Sequence, residues 1–372
     1  MLVIEKAFYL PTKIMSAKDI AALKTLLPIR PDDLILTEDR LLDVLNLMPG
    51  TRVLLRDEYG RGPNSDAVVK KVCEDAGSSF GRVIGIGGGA VLDLAKLLSL
   101  EKVLPVRSLF DSDATLRRVH ELVLIPTTPG TGSEVTPYCA VYFEDIGQQL
   151  VLNHPALYAD LAILCPEFLN DIPFNVFAAS SFDAFTHAFE SYLSALATPP
   201  SKAVSLEALK NLVICWQDIA RRGVTSLNEN LSNVQIAGNM AGIGYANAGC
   251  AAVHALAYPL CTRLHIHHGE ANYLVFKAVC ELYAKKKPAG ALDDIREMLA
   301  ALFSCSKDDA FEAFDRLCLT LLPRRRLSAI GMTESQVLEF TDLVMTRQHM
   351  LIANGYTKLT AGEISYIYQS LL

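Results

Sequence analysis

The stretch RVIGIGGGAVLDLAKLL, residues 82–98, passes from a β-branched apolar run through three successive glycines into a helical pattern. A strand that feeds straight into a helix is the building step of a parallel α/β layer, because parallel neighbours need a crossover connection. The surrounding sequence repeats that step. DLILT (33–37), RVLLR (52–56) and LVLIP (122–126) read as further buried strands, and amphipathic stretches such as 66–75 separate them. Near-continuous apolar runs, rather than alternating ones, predict a sheet covered on both faces. The expectation is therefore a doubly wound parallel sheet, with YCAVYF and LVLN (138–153) as a hairpin or an edge addition.

From Pro173 the pattern changes. Strand-like alternation stops and helical windows follow at 176–196, 205–221, 228–246, 271–285, 308–321 and 334–347, with Pro173, Pro199-Pro200 and Pro323 as breaks. The reading is α/β: residues 1–172 form a dinucleotide-binding domain with a doubly wound parallel sheet, and residues 173–372 an all-helical metal and substrate domain. A cleft between two domains is the default place for a small ligand. Bulk properties narrow the partners. A net charge of −7 with no clustered basic face gives no reason to expect nucleic acid. No run is apolar for long enough to cross a bilayer. The start, MLVIEKAFYLPTKIM, has no basic segment ahead of an apolar core, so no secretory signal is expected. Nine cysteines without a C-x-x-C pair suit reduced thiols and a cytoplasmic location.

The glycine turn has its own chemistry. Glycines at a strand–helix junction let a ligand approach the backbone, and the first amides of the helix point outward with the helix dipole behind them. A diphosphate suits that place, although the spacing is not G-x-G-x-x-G and a tight turn alone would also explain the glycines. A second loop after another strand, PTTPGTGSE (126–134), offers hydroxyls and glycines, and two such loops on one sheet favour a dinucleotide. Glu38 follows the strand DLILT, where an acid can bond ribose hydroxyls and repel the extra phosphate of NADP; a helix-start acid is the alternative.

In the helical half, Asp183 and His187 stand four apart in a helical window and so share one face. An unpaired carboxylate among the apolar neighbours of Asp183 would be costly to bury. His254 lies further on, and His265, His267 and His268 crowd into four positions. One carboxylate with neutral imidazoles suits a divalent first-row metal with a position left open for substrate, whereas each residue alone would read as a core pair, a satisfied helix histidine or a cap.

GGGAVLDLAK, PTTPGTGSEVTP, DAFTHAFESYLS and HALAYPL with HHGEAN resemble the iron-containing, or group III, alcohol dehydrogenases, in family order from about residue 30 to the end. The resemblance implies an enzyme that oxidises a small alcohol to its aldehyde with NAD or NADP and one divalent metal, Fe²⁺ or Zn²⁺, in a homo-oligomer of two or more chains. It places the metal ligands on Asp183, His187, His254 and His268. The diphosphate turn falls on Gly87, Gly88 and Gly89, with Asp93 towards the nicotinamide, and Thr127, Thr128 and Ser133 fall on the second cofactor loop. Two positions depart from the family: Ala90 replaces a serine after the glycines, and Tyr258 replaces a relay histidine four residues after the third ligand. Within the family the chain is most similar to 4-hydroxybutyrate dehydrogenases, which implies a hydroxy acid substrate and a cation for its carboxylate; Arg263 and His265 are the candidates. Tyr258 and His267 are the candidate proton relays. Competing readings are a dehydrogenase of another short alcohol or diol (butanol, propanediol, lactaldehyde), a lyase like the dehydroquinate synthases, and a non-catalytic nucleotide-binding protein.

Overall fold

The computed structural model describes residues 7–45, 47, 50–60, 62–111 and 114–372. Residues 1–6, part of the stretch read for a leader, lie outside that description. The chain separates into two compact units. One comprises Leu10–Thr128 and Gly132–Asp171; the other comprises Ile172–Leu372 with residues 7–9 and Pro129–Thr131.

In the first unit the elements run β1 (Lys13–Ser16), α1 (Ile20–Leu26), β2 (Asp33–Thr37), α2 (Leu42–Leu45), β3 (Arg52–Leu55), α3 (Asp66–Ala76), β4 (Arg82–Gly87), α4 (Gly89–Leu98), β5 (Glu121–Pro126), β6 (Tyr138–Phe143), β7 (Gln148–Asn153) and β8 (Leu161–Leu164). Six strands form one sheet in the order β1-β8-β5-β4-β2-β3, every pairing parallel. β2 and β4 are buried along their whole length and β5 along nearly all of it, as the unbroken apolar runs require. β6 and β7 pair antiparallel as a separate hairpin. β1 and β8, which the sequence pattern does not single out, pair with each other at one edge. Each is four residues long, and β1, KIMS, has a polar residue at either end and no buried apolar run.

The second unit is helical: α5 (Phe174–Leu193), α6 (Pro199–Arg222), α7 (Leu227–Ala248), α8 (Ala252–Leu264), α9 (His268–Lys286), α10 (Ala291–Phe303), α11 (Ala310–Leu321), α12 (Glu334–Arg347), α13 (His349–Ala353) and α14 (Ala361–Leu371). α5 is buried all round, so it is the central helix. Behind it, Phe182 stacks on Trp216 with ring centres 5.9 Å apart, Phe185 lies 4.6 Å from Phe314, and Trp216 Nε1 donates to Ser181 Oγ at 3.1 Å. Pro199 and Pro200 open α6, under a Thr198 cap, and the helix extends six residues ahead of its apolar pattern; proline at a first turn forfeits only an amide that has no partner there. Among the described residues no helix is long and apolar enough to cross a membrane, and all nine cysteines are free thiols.

Candidate functional site

Three loops of the parallel sheet leave neighbouring strands at their carboxyl ends: Glu38 after β2, Gly88 after β4 and Thr127 after β5. Ligands of open α/β sheets bind at such an edge. The glycines divide their work. A Cβ on Gly85 would stand 2.7 Å from Ala95 Cβ, and one on Gly87 2.5 Å from Val91 Cγ2, so both are glycine because α4 packs directly on β4. At Gly88 the nearest atoms to such a Cβ are 3.6 Å away or more, on Thr128 and Glu38, and Gly88 is the N-cap of α4. The amides that follow it, Gly89 and Ala90, start the helix and have no acceptor within it. Gly88 N donates to Glu38 Oε1 at 3.1 Å, Arg40 Nε donates to Glu38 Oε2 at 2.7 Å, and Arg40 Nη2 donates to Thr127 Oγ1 at 2.9 Å. Asp93 accepts from Ser133 Oγ at 2.7 Å and from Ala140 N at 2.9 Å, which fastens the second loop to α4. The buried Lys96 backs this arrangement, donating to Tyr138 O at 2.7 Å and lying 3.6 Å from Asp93 Oδ1.

In the helical unit, Asp183, His187 and Glu190 project from one face of α5 at i, i+4 and i+7. Glu190 reaches the start of α8. It accepts from Ala251 N at 2.9 Å, from Val253 N at 2.5 Å and from His254 Nδ1 at 2.6 Å, capping the helix and turning His254 Nε2 towards Asp183 Oδ1, 3.7 Å away. His268, the first residue of α9, brings its Nε2 to 3.6 Å from the same oxygen. His187 lies flat against His254, ring centres 4.6 Å apart, and His254 and His268 are 5.2 Å apart. Ligand atoms of Asp183, His254 and His268 thus lie within 4.8 Å of one another. Asn272, one turn beyond His268, donates from Nδ2 to Asp183 Oδ1 at 2.8 Å.

Gly269 makes this convergence possible. A Cβ there would sit 1.9 Å from Ala179 O, so no side chain fits between the start of α9 and α5. Gly130 plays a similar part: a Cβ would be 2.9 Å from Ser180 O on the same helix.

An ionised Asp183 beside neutral His187 and His268 suits a cation. Burial alone would raise the Asp183 carboxyl, but His187, His268 and His254 around it hold it well below the usual carboxylate range. Burial pushes His187 down to about 3 and His268 down to about 4, so both are neutral near pH 7 with lone pairs free to coordinate. Burial also opposes charge on His254, yet Cys250, Asp183 and Glu190 outweigh it and its pKa is raised well above the ordinary imidazole value. Two buried atoms here have no hydrogen-bond partner, His187 Nδ1 and Asn272 Oδ1. A carboxylate, three imidazoles and orphaned donor atoms fit a divalent first-row metal. His268 is the most open of the four, with a third of its side chain exposed; Asp183, His187 and His254 are buried.

The remaining predicted residues are less central. Tyr258 is half-buried with its ring 5.8 Å from that of His268, and its burial raises the phenol well above its ordinary value. His267 and His265 are exposed; His265 ends α8 in a left-handed conformation, φ 54°, which strains a non-glycine residue. Arg263 is exposed and its Nε lies 3.4 Å from Glu339 Oε1. Sequence reasoning missed Glu190, Asn272 and Gly269. Glu190 had a signal, an acid three residues after His187 on the same apolar helix face; Gly269 and Asn272 stand within the quoted HHGEAN, but only their neighbours in space reveal what they do.

Residues 33–166 match the family model described as iron-containing alcohol dehydrogenase, and residues 177–372 match that of the Fe-containing alcohol dehydrogenase family, C-terminal. The 4-hydroxybutyrate dehydrogenase of Clostridium kluyveri is 34% identical over 87% of this chain and 87% of its own length. Long-chain-alcohol dehydrogenase 1 of Geobacillus thermodenitrificans is 32% identical over 78% and 75%. The crystal structure of an iron-containing alcohol dehydrogenase from Thermotoga maritima superposes with a TM-score of 0.77 over 98% of this chain and 99% of that one, at 26% identity.

Proposed function

This chain belongs to the iron-containing alcohol dehydrogenase family, and from that premise we propose that it interconverts 4-hydroxybutyrate and succinate semialdehyde with NAD, through a divalent metal held by Asp183, His187, His254 and His268. The observation that carries the reading is the meeting of Asp183, His254 and His268 within 4.8 Å, with the His187 ring beside His254, from three helices of one unit. The substrate is supported by the 34% identical relative of that name, which the chain matches over 87% of its length.

When bound, a divalent cation supplies Lewis acidity at the alcohol or aldehyde oxygen, and NAD supplies the hydride acceptor. Oxidation then balances as alcohol and NAD⁺ giving aldehyde, NADH and one proton. The chain's own groups do the rest. Glu190 holds His254 Nδ1, which fixes the tautomer and leaves Nε2 as the ligand atom; Asn272 holds the Asp183 carboxylate. Gly88 and Gly89 receive the diphosphate at the start of α4, and Gly87 lets α4 pack close enough to present them. Thr127, Thr128 and Ser133 line the second loop, with Asp93 fastening it. Glu38 faces the ribose and disfavours a 2′-phosphate. Tyr258 beside His268 and the exposed His267 pass the proton outward, and Arg263 with His265 meets the substrate carboxylate, for which Glu339 competes at Arg263.

The test compares wild type, for its preference among 4-hydroxybutyrate, 1-propanol and a long-chain alcohol in NADH formation, with His268→Ala, for metal content and NADH formation. Loss of metal and turnover with cofactor binding retained is expected. Survival of activity refutes the ligand set, and a preference for either plain alcohol over the hydroxy acid refutes the substrate. A reaction that consumes substrate with no net NADH would return the lyase reading.

A further inference from the structure

One ion pair ties together the ends of three strands in the sheet unit. Glu38, after β2, accepts through Oε1 from Gly88 N at 3.1 Å, an amide of the glycine turn after β4. Its other oxygen accepts from Arg40 Nε at 2.7 Å, and Arg40 Nη2 reaches on to Thr127 Oγ1, after β5, at 2.9 Å. β4 lies between β2 and β5 in the sheet, so the Glu38–Arg40 pair spans the mouth of the glycine turn. A carboxylate that takes a turn amide on one oxygen and a guanidinium on the other meets the donors that would serve a diphosphate there.

The surroundings make Arg40 a donor for a ligand rather than a strut. The turn itself supplies backbone amides only, since Gly87, Gly88, Gly89 and Ala90 carry no polar side chain. The nearby Arg56 is buried and committed, its three nitrogens donating to Asn64 Oδ1, Gly60 O and Gly62 O. Arg40 stands instead on the short turn Asp39–Leu41. That turn is held by the buried Leu41 and by Asp39 N, which donates to Asp57 Oδ2 at 2.8 Å. The Arg40 side chain is 45% exposed, and an ion pair this open to water adds little to stability. Its backbone is fixed while its fork can exchange partners.

We propose that Arg40 is the counter-cation of the cofactor's diphosphate, and that Glu38 holds the diphosphate's place in the empty site. On binding, the diphosphate takes over Gly88 N and the Arg40 fork, and Glu38 is released to bond the ribose. No proton moves and no covalent bond changes. The inference rests on the dinucleotide reading above and adds a residue to it.

The experiment is calorimetric titration of NADH, NADPH and ADP into the full-length protein, as wild type and Arg40→Gln, each also in a Glu38→Gln background. Arg40→Gln should weaken ADP and NADH alike by about tenfold or more, the loss expected for a hydrogen bond between charged groups. The same loss should appear in the Glu38→Gln background. Unchanged ADP and NADH affinities in Arg40→Gln would overturn the proposal. A loss that vanishes once Glu38 is an amide would overturn it too, because Arg40 would then only be neutralising that acid. A loss confined to NADPH would assign Arg40 to the 2′-phosphate and equally overturn it. Failure of the wild type to bind either NADH or NADPH would instead sink the dinucleotide reading itself. Phenylglyoxal modification of the wild type, mapped by mass spectrometry, decides the matter even if Arg40→Gln folds poorly. Saturating ADP should slow modification of Arg40, and an unchanged rate would refute the contact.

Discussion

Gly269→Ala adds one methyl group where the structure leaves no room for it. Its Cβ would stand 1.9 Å from Ala179 O and 2.7 Å from the carbonyl carbon, with Asp183 Cβ at 3.2 Å. The obstacle is backbone, so no rotamer change relieves it. Contact must open from 1.9 Å to at least 3.0 Å, and α9 has to withdraw from α5 by about 1.1 Å. His268 is the preceding residue and moves with it, away from the Asp183 oxygen that its Nε2 now faces at 3.6 Å. Metal–ligand distances tolerate only about 0.2 Å, so a shift several times larger removes His268 from any shared ion. Overpacking of this kind costs about 1–3 kcal/mol of stability, and misplacing a reacting group by about 1 Å costs on the order of a hundredfold in turnover. We expect the variant to fold with a Tm lowered by several degrees, to lose most of its metal by elemental analysis, and to fall about a hundredfold or more in kcat with NAD. Gly362→Ala is the control. It lies in the first turn of α14 with nothing within 4 Å of the added methyl, so stability should hold or rise by up to about 1 kcal/mol. Wild-type metal content and turnover in Gly269→Ala would refute the claim that contact between α5 and α9 assembles the centre.

Three further outcomes follow from the same geometry. Glu190→Gln should weaken metal retention by about 10–100-fold and lower the Tm, because an amide must turn a donor towards one of the N–H groups that the carboxylate now accepts; chelator resistance equal to wild type would count against it. In metal-stripped protein, His187 and His268 stay neutral down to about 3 and about 4, while the unfolded chain protonates both near 6.5, so stability should fall as pH drops from 6.5 towards 4. His254, raised instead, adds stability that is present below 6.5 and is lost as pH climbs through its folded value. Urea midpoints at pH 7, 6 and 5 measure the acid limb, and an unchanged slope in His268→Ala would refute the assignment. Glu38→Gln should raise the NADP-to-NAD ratio of kcat/KM by about tenfold, and an unmoved ratio would remove Glu38 from cofactor choice.

What the sequence makes legible depends on how far apart the cooperating residues lie. β2, β4 and β5 announce themselves because a strand buried on both faces must be apolar throughout, and each is five or six residues long. β1 and β8 are four residues apiece, and β1 finds its place only by pairing with β8 some 150 residues along the chain, while β8 also lies against β5. The C-terminal helices α13 and α14 also escape, the first for its five residues and the second despite a local start signal, the Thr360 to Glu363 capping box.

The site follows the same rule one level down. Asp183 and His187 can be matched because a helix fixes the relation between i and i+4, and the crowding of His265, His267 and His268 marks the loop that delivers one of them. It does not say which. That choice is made by Gly269: only the residue next to it is carried into contact with α5, so His268 reaches Asp183 while His265 and His267 stay exposed. Likewise, nothing local to Glu190 reveals that it caps α8 sixty residues later, or that its second job is to orient His254. Residues that bear the chemistry have distinctive types and are visible in one dimension. The residues that aim them act through distances between helices, and a backbone with no room for a methyl group leaves its mark only in three dimensions.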